Sequence, residues 1–512
     1  VTVNPEASFD VVLVGAQLPN LVAAALLAKR GFRLLVLPQD EHPALYTPVE
    51  GLALPRAPFT LSCGRRPVAT RIVRELALQQ VFHRVARSPD PAFQVALPGK
   101  RFDLCPAPEL FASELDREFP DVRRFLEDFH RLLGEDDAAL DAALESISLP
   151  PRHFLDRRQL QRAAADLPFD PRHGDGGDRL ATLPDDHPFR RAVALPARFE
   201  DGMDPDHPTP LRRQRAFTAW LDASVAIEGG YAALRQLLER AIQTHGGEVR
   251  ERERVSRIET RRGVAVGVRL AASGEVLGAG HVLVGSPLGH LLTLLPDRTP
   301  FEELFERIGE PVVRHYRYTL QLVLAREGVP VGMARTVFLG LGGRSDLGSL
   351  HLESEALDAE RHRLTVEALV PRRGVEEVPG YVEGLRERLL VAVRELVPFL
   401  DEHLLWVDSP HDGLPPFDAR GGAYEAPLNP WERGPHTMRG VYAYPVPSAF
   451  GVCALPVVSP IRRLLLCNGQ VIPGLGLEGE LRTALSAADV VTRADTQGPR
   501  VRRSRWGSIL GP

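Results

Sequence analysis

The sequence predicts an α/β protein on three observations. At the amino end, in FDVVLVGAQLPNLVAAALLAKRGFRLLVLPQD, an apolar β-branched run meets a glycine turn, an Ala/Leu-rich helix and a second apolar run. A helix bounded by glycine pairs and followed by short strands recurs mid-chain, in IEGGYAALRQLLERAIQTHGGEVRERERVSRI. The closing stretch RRLLLCNGQVIPGLGLEGELRTALSAADVVT again reads as a strand, a Gly/Pro loop and a helix. With 512 residues the chain exceeds what one core supports, so two domains, or one discontinuous domain carrying a large insertion, are expected.

Taken in order, β-strands are expected at Val11–Val14 and Leu34–Leu37, with Gly31 ending the helix between them. RPVATRIVRELALQQVF carries apolar residues at helical spacing, FQVALPGKRFDL reads as a hairpin around Pro98 and Gly99, and 107–133 as two amphipathic helices. From 149 to 214 the composition turns to Pro, Asp, Arg and His with little periodicity, which predicts a long solvated loop. Gly229 and Gly230 then open a helix that Gly246 and Gly247 end, three strands follow, and a mixed region runs from about 300 to 435.

Bulk properties narrow the function classes. Hydrophobic content of 44% and charged content of 25% suit a globular protein, and a net charge of −5 gives no electrostatic reason to expect nucleic acid. The four cysteines, Cys63, Cys105, Cys453 and Cys467, lack metal or redox spacing and read as buried small hydrophobes of a reducing compartment. No metal site is expected. No apolar run is long enough to cross a bilayer, and the expected location is cytoplasmic.

The order of parts resembles the phytoene desaturase and carotenoid isomerase family of FAD-dependent oxidoreductases, within the amine oxidase superfamily. Five stretches carry the likeness: the opening unit, PDPAFQVALPGKRFDLCPAPELFASELDREFPDVRRFL, the mid-chain helix segment quoted above, GGAYEAPLNP, and CNGQVIPGLGLEGELRTALSAAD. The resemblance implies a discontinuous Rossmann-type FAD/NAD(P)-binding domain from 8–60, 215–295 and 440–495. A mixed α+β substrate domain would be inserted as 61–214 and 296–439, with a basic tail at 496–512. It implies FAD chemistry on an unsaturated hydrophobic substrate. Cofactor contacts would fall at Gly15, Ala16, Gln17 and Asn20, at the Val255 backbone for adenine, and at Gly469, Pro473, Gly474, Gly476 and Gly479 near the isoalloxazine.

The fingerprint is nonetheless eroded. In the three-glycine fingerprint the first glycine permits the turn, the second lets the pyrophosphate approach the backbone and the third lets helix and strand pack closely; only Gly15 remains, with Gln17 at the second place and Asn20 at the third. The acid that accepts from the ribose hydroxyl falls at Pro38, with Gln39 and Asp40 one and two places late, and the Gly-Gly-Arg turn expected next is replaced by HPALYTPVEGLALP. At the far end Glu480 and Arg482 stand where relatives carry apolar residues, and Thr483–Ala484 replaces a Ser-Gly pair. Two functions follow: an FAD oxidoreductase with weakened cofactor binding, or a flavin-free pseudoenzyme acting as a binding or scaffold protein. Its partner would be a hydrophobic small molecule or a protein, with Arg500 to Leu510 as a docking segment. No catalytic residue is assigned; His411, Asp412 and His436 are acid/base candidates, and Tyr424 and Trp431 could line a channel.

Overall fold

The computed structural model describes residues 8–39, 43–49, 52–342, 347–418, 422–423 and 433–495. The basic tail and Asp40, Tyr424 and Trp431 therefore lie outside the described residues.

The opening segment forms strand β1 (Ser8–Val14), helix α1 (Leu18–Lys29) and strand β2 (Leu34–Leu37). β1 and β2 run parallel from Val11 opposite Leu34 to Val14 opposite Leu37, and strand β3 (Val276–Val284) lies parallel on the other side of β1. Because both faces of this sheet are covered, its strands are continuous apolar runs. β1 and β2 are therefore buried from Val11 to Val14 and Leu34 to Leu37. α1 is buried from Leu18 to Ala28, held between the helix Gly230–Thr244 and the closing helix α2 (Gly476–Ala494). Its small residues, Ala23, Ala24, Ala25 and Ala28, permit that approach. The seven-stranded sheet is completed by Glu248–Val249, Val255–Arg261, Val264–Leu270 and Leu464–Leu466, so it gathers strands from widely separated segments.

A ten-stranded sheet stands apart from the first and is organised on strand β4 (Val312–Ala325). β4 pairs antiparallel with Arg361–Pro371 along its length, from His315 opposite Pro371 to Ala325 opposite Arg361. The expected hairpin is present as Phe93–Leu97 and Lys100–Leu104, and it joins this sheet beside Thr336–Gly340. The expected helix pair at 107–133 is Pro108–Glu118 and Arg123–Ser146, the second longer than the periodicity suggests.

The largest departure is at 149–214, read from sequence as a solvated loop. It contains helices Phe154–Ala163, Pro188–Glu200 and Pro210–Thr218, and it buries Phe189, Val193, Phe199 and Met203. Charge pairing contributes: several of its arginines and aspartates find partners in buried or half-buried positions, while others stay at the surface. Arg212 bonds Asp201, Arg213 bonds Asp178, and Arg179 grips Asp136 with two bonds of 2.7 Å.

The strongest of these pairings ties this region to α2. Arg215, 3% exposed, donates two hydrogen bonds of 2.8 Å to Glu478, 2% exposed, and reaches Asp137 at 2.6 Å and Asp141. Arg482 reaches Glu478 at 3.0 Å, and Arg66 completes the group against Asp137 and Thr218. Burial pushes the Glu478 carboxyl up, but Arg215 and Arg482 outweigh it and hold the group well below the usual carboxylate range. A carboxylate depressed in the folded state contributes stability above its unfolded pKa and loses it as pH falls. Glu478→Gln is expected to cost about 3–5 kcal/mol at neutral pH, because it strands Arg215 without its main counter-charge. The loss should shrink as pH falls below the ordinary carboxylate range, measured by urea unfolding at a series of pH values.

Candidate functional site

Where the loops of the first sheet face β4, a cavity of about 680 Å³ opens. Its walls come from Arg56–Thr60, the end of the helix Pro188–Glu200, the start of α2, and the strands Val312–Ala325 and Arg439–Ala443. Of the residues singled out in the sequence as cofactor contacts, Gln17, Gly469, Pro473 and Gly476 line this cavity. The others serve packing or are otherwise engaged.

Gly15 takes φ +94°, and a Cβ there would stand 2.9 Å from the Ser286 amide nitrogen, so the turn does require glycine. Ala16 offers its carbonyl to the Tyr231 hydroxyl at 3.5 Å. Gln17 is the N-cap of α1 and its side chain makes no capping hydrogen bond, and Pro19 at the second helical position removes one N–H donor from the helix end. Asn20, a cofactor contact by the resemblance, does not line the cavity. Its amide turns into the sheet and donates to Gly15 and Val14 carbonyls at 2.7 and 3.3 Å, with Gly285 leaving room for it. Gly474 and Gly479 also do not face the cavity: a Cβ would meet Val452 Cα at 2.7 Å and the Ile472 carbonyl at 1.9 Å, so both permit close backbone approach.

Beyond β2, Pro38 stands at the acid's place and its carbonyl accepts from Arg254 at 2.9 Å. Gln39 turns inward. Its amide nitrogen donates to the Leu37 carbonyl at 3.0 Å, and its oxygen accepts from the Val255 backbone N–H at 3.1 Å. The backbone donor expected to meet adenine is thus already satisfied by a side chain that is 8% exposed.

A parallel substitution occurs at the N-terminus of α2. Glu200 Oε1 accepts from the Leu477 backbone N–H at 3.1 Å and from the Ser62 hydroxyl at 2.6 Å. A carboxylate at that position matches the positive end of the helix dipole. A Cβ on Gly476, φ +53°, would come 2.5 Å from Glu200 Oε1, so this glycine makes room for a protein carboxylate.

The lining is strongly charged. Arg317 bonds Glu367 at 2.9 Å and the Phe199 carbonyl at 2.7 Å, and His351 stacks on Phe338 with ring centroids 4.8 Å apart. Burial pushes Glu367 up, but Arg317 and then His351 bring it below its ordinary value. Burial raises Glu200, and burial raises Glu480 to about 7, with Glu200 adding to that rise while Arg439 and Arg317 oppose it. Tyr231 is pushed up to about 12 by burial. Among the sequence candidates, His411 lines the cavity with Nδ1 at 2.8 Å from Thr437 Oγ1, and His436 lines it too. Asp412 is engaged elsewhere, held by Arg386 at 2.9 and 3.0 Å and by the Tyr318 hydroxyl at 3.1 Å. The ligand-like grouping of Asp204, Asp206 and His315, unforeseen in the sequence, is partly exposed, and Asp206 also meets Arg198 at 3.4 Å.

Sequence reasoning missed Glu200, Arg317, His351, Glu367 and Arg439. Glu200 ends a helix in the stretch read as a loop, and the others alternate along strands whose facing surface only the assembled sheet reveals. Gln39 carried a faint signal, since it pairs one donor with one acceptor directly after a strand end.

The fold is α/β with one sheet gathered from widely separated segments, and comparison with known proteins gives the family. The profile of flavin containing amine oxidoreductases matches residues 60–316, and the chain belongs to that family. Among solved structures it is similar to a putrescine oxidase double mutant redesigned for cofactor binding, at 14% identity and TM-score 0.56, covering 95% of this chain and 99% of that one. An oxidoreductase from Methanosarcina mazei gives 15% identity and TM-score 0.55, covering 94% and 99%. Cyclohexylamine oxidase from Brevibacterium oxydans gives 16% identity and TM-score 0.54, covering 95% and 99%. No curated protein matches the sequence. The narrower phytoene desaturase likeness is not what these matches single out. No helix among the described residues is long and apolar enough to cross a membrane.

The family implies a flavin. The residues present do not fit FAD in the pose expected from the resemblance: Gln39 holds the adenine-facing N–H, Pro19 removes a helix-end donor, Pro38 replaces the ribose acid, and Glu200 holds the Leu477 N–H.

The site carries its own electrostatic test. A carboxyl whose folded pKa is raised loses relative stability as pH climbs from its unfolded value through its folded value of about 7. Glu480→Gln should therefore raise the thermal midpoint at pH 8 and leave it nearly unchanged at pH 5, followed by calorimetry.

Proposed function

We propose that this chain keeps the fold of the flavin-containing amine oxidoreductases as a flavin-free binding protein whose central cavity takes a small polar ligand. The observation that carries this reading is the Gln39 side chain on the Val255 N–H at 3.1 Å. An adenine accepting from the Val255 N–H would have to displace the Gln39 Oε1 hydrogen bond and leave that buried amide oxygen without its partner, at a cost of about 1–3 kcal/mol. Glu200 on the Leu477 N–H adds a second obstacle of the same kind, since a ligand oxygen there would meet a carboxylate. The charged lining of Arg317, Glu367, Glu200, Glu480 and Arg439 favours a polar ligand over the unsaturated hydrocarbon that the resemblance suggests.

The competing reading, an FAD oxidoreductase with weakened binding, draws support from the glycines Gly469 and Gly476 that still rim the cavity. Gly476, however, accommodates Glu200, and Gly469 lies against Glu480, so protein side chains account for both.

A visible spectrum separates the two. Purified protein is expected to be colourless and to retain no flavin after incubation with FAD and desalting; retention of about one FAD per chain would refute the reading. Combining Gln17→Gly, Pro38→Glu and Gln39→Gly should raise FAD affinity at least about tenfold, equivalent to roughly 1.4 kcal/mol, by flavin fluorescence titration.

A further inference from the structure

We propose that Asp204, Asp206 and His315 form a binding site for one divalent transition-metal cation of the zinc type, outside the central cavity. None of the three lines that cavity, so the site stands independently of the flavin-free reading.

Asp204 and Asp206 stand two apart in the stretch DPDHP, which links the helices Pro188–Glu200 and Pro210–Thr218, whereas His315 comes from β4. One potential ligand atom from each side chain lies within 4.8 Å of the other two. His315 Nε2 is 3.7 Å from Asp206 Oδ2, too far for a hydrogen bond. Ligands held at about 2.0–2.1 Å in a tetrahedral shell stand about 3.4 Å apart, so side-chain movements of less than about 1 Å close the three on a cation.

The backbone holds the two sources of ligands in register. Met203 bridges to Tyr442, and the strand Arg439–Ala443 in turn pairs with β4, with Tyr442 opposite Val313 and Val441 opposite His315. Asp201 grips Arg212, whose guanidinium also donates to the Asp204 carbonyl at 3.3 Å. Asp204 Oδ1 accepts the Asp206 N–H at 3.1 Å, and Asp206 Oδ1 meets Arg198 at 3.4 Å. Each aspartate thus uses one oxygen for orientation and keeps the other for a ligand.

The charge balance calls for a cation. Other acids packed around this region are matched by close arginines, Asp178 by Arg213 at 2.6 Å and Asp136 by Arg179 at 2.7 Å. Among the described residues the Asp204 carboxylate has no arginine or lysine partner, and Asp206 has only the longer contact with Arg198, so two negative charges face one positive charge. The imidazole selects a transition metal, since calcium and magnesium take oxygen ligands. A second cavity of about 320 Å³ adjoins the site at Asp204, with His173, Asp175 and His207 on its wall, and it leaves room for water at the remaining coordination position.

Titration calorimetry of the full chain, stripped with EDTA and titrated with zinc chloride, tests the site. About one zinc ion per chain is expected to bind, with a Kd of about 1–10 μM. Asp204→Asn, Asp206→Asn and His315→Gln should each weaken zinc by at least about tenfold, whereas His245→Gln, at the exposed end of the helix Gly230–Thr244, should leave it unchanged. Thermal melts show that each variant is folded and supply a second readout on the native chain: zinc should raise the midpoint and magnesium at the same concentration should not. The proposal is overturned if zinc binds more weakly than about 100 μM, if any one of the three folded variants keeps the native affinity, or if the two metals shift the native midpoint alike.

Discussion

A backbone N–H buried at the edge of a parallel sheet, or at the first turn of a helix, must find an acceptor. In a dinucleotide-binding architecture the cofactor commonly supplies it. Here two such donors, at Val255 and Leu477, are each satisfied by a side chain of the same protein. Gln39 supplies an amide and Glu200 a carboxylate. The rest of the site follows from that substitution: the glycines at 469 and 476 make space for protein carboxyls, and the remaining volume becomes a charged cavity between the sheets.

The second constraint is the buried ion cluster of Arg215, Glu478, Asp137, Arg66 and Arg482. Charges that deep are tolerable only in pairs, since removing either member leaves an uncompensated ion in a medium that solvates it poorly. The cluster pins the helix Pro210–Thr218 and the long helix Arg123–Ser146 to α2, and α2 in turn packs on α1. The position of Glu480, two residues beyond Glu478, is thereby set by a network outside the cavity. The two glutamates differ sharply in consequence. Glu478 is surrounded by arginines and held ionised, whereas Glu480 has burial and Glu200 against it and titrates near neutrality.

Membership of the flavin-containing amine oxidoreductases is compatible with the flavin-free reading proposed above. The parallel sheet, the buried α1 and the close contact of Gly479 with the Ile472 carbonyl are requirements of packing, and they persist whether or not a nucleotide is present. Residues whose purpose is to touch a cofactor can change independently of that packing. Positions 17 and 38, where the resemblance expects cofactor contacts, would fall in this second group, whereas Asn20 belongs to the packing, with its amide turned into the sheet.

The sequence by itself determined the parallel βαβ opening, the hairpin at 93–104, the Gly-bounded helix Gly230–Thr244 and the loop-to-helix ending, because each rests on local periodicity and turn chemistry. It also placed Pro38, which has no side-chain acceptor, where the resemblance expects the ribose acid. Only the tertiary structure decided that 149–214 carries the helices Phe154–Ala163 and Pro188–Glu200 and the start of Pro210–Thr218, because pairings such as Arg179 with Asp136 join residues that local pattern does not relate. Only the tertiary structure brought Glu200, Arg317, Glu480 and Arg439 to one cavity, since which charges share a wall depends on sheet register and helix docking, which local pattern does not encode.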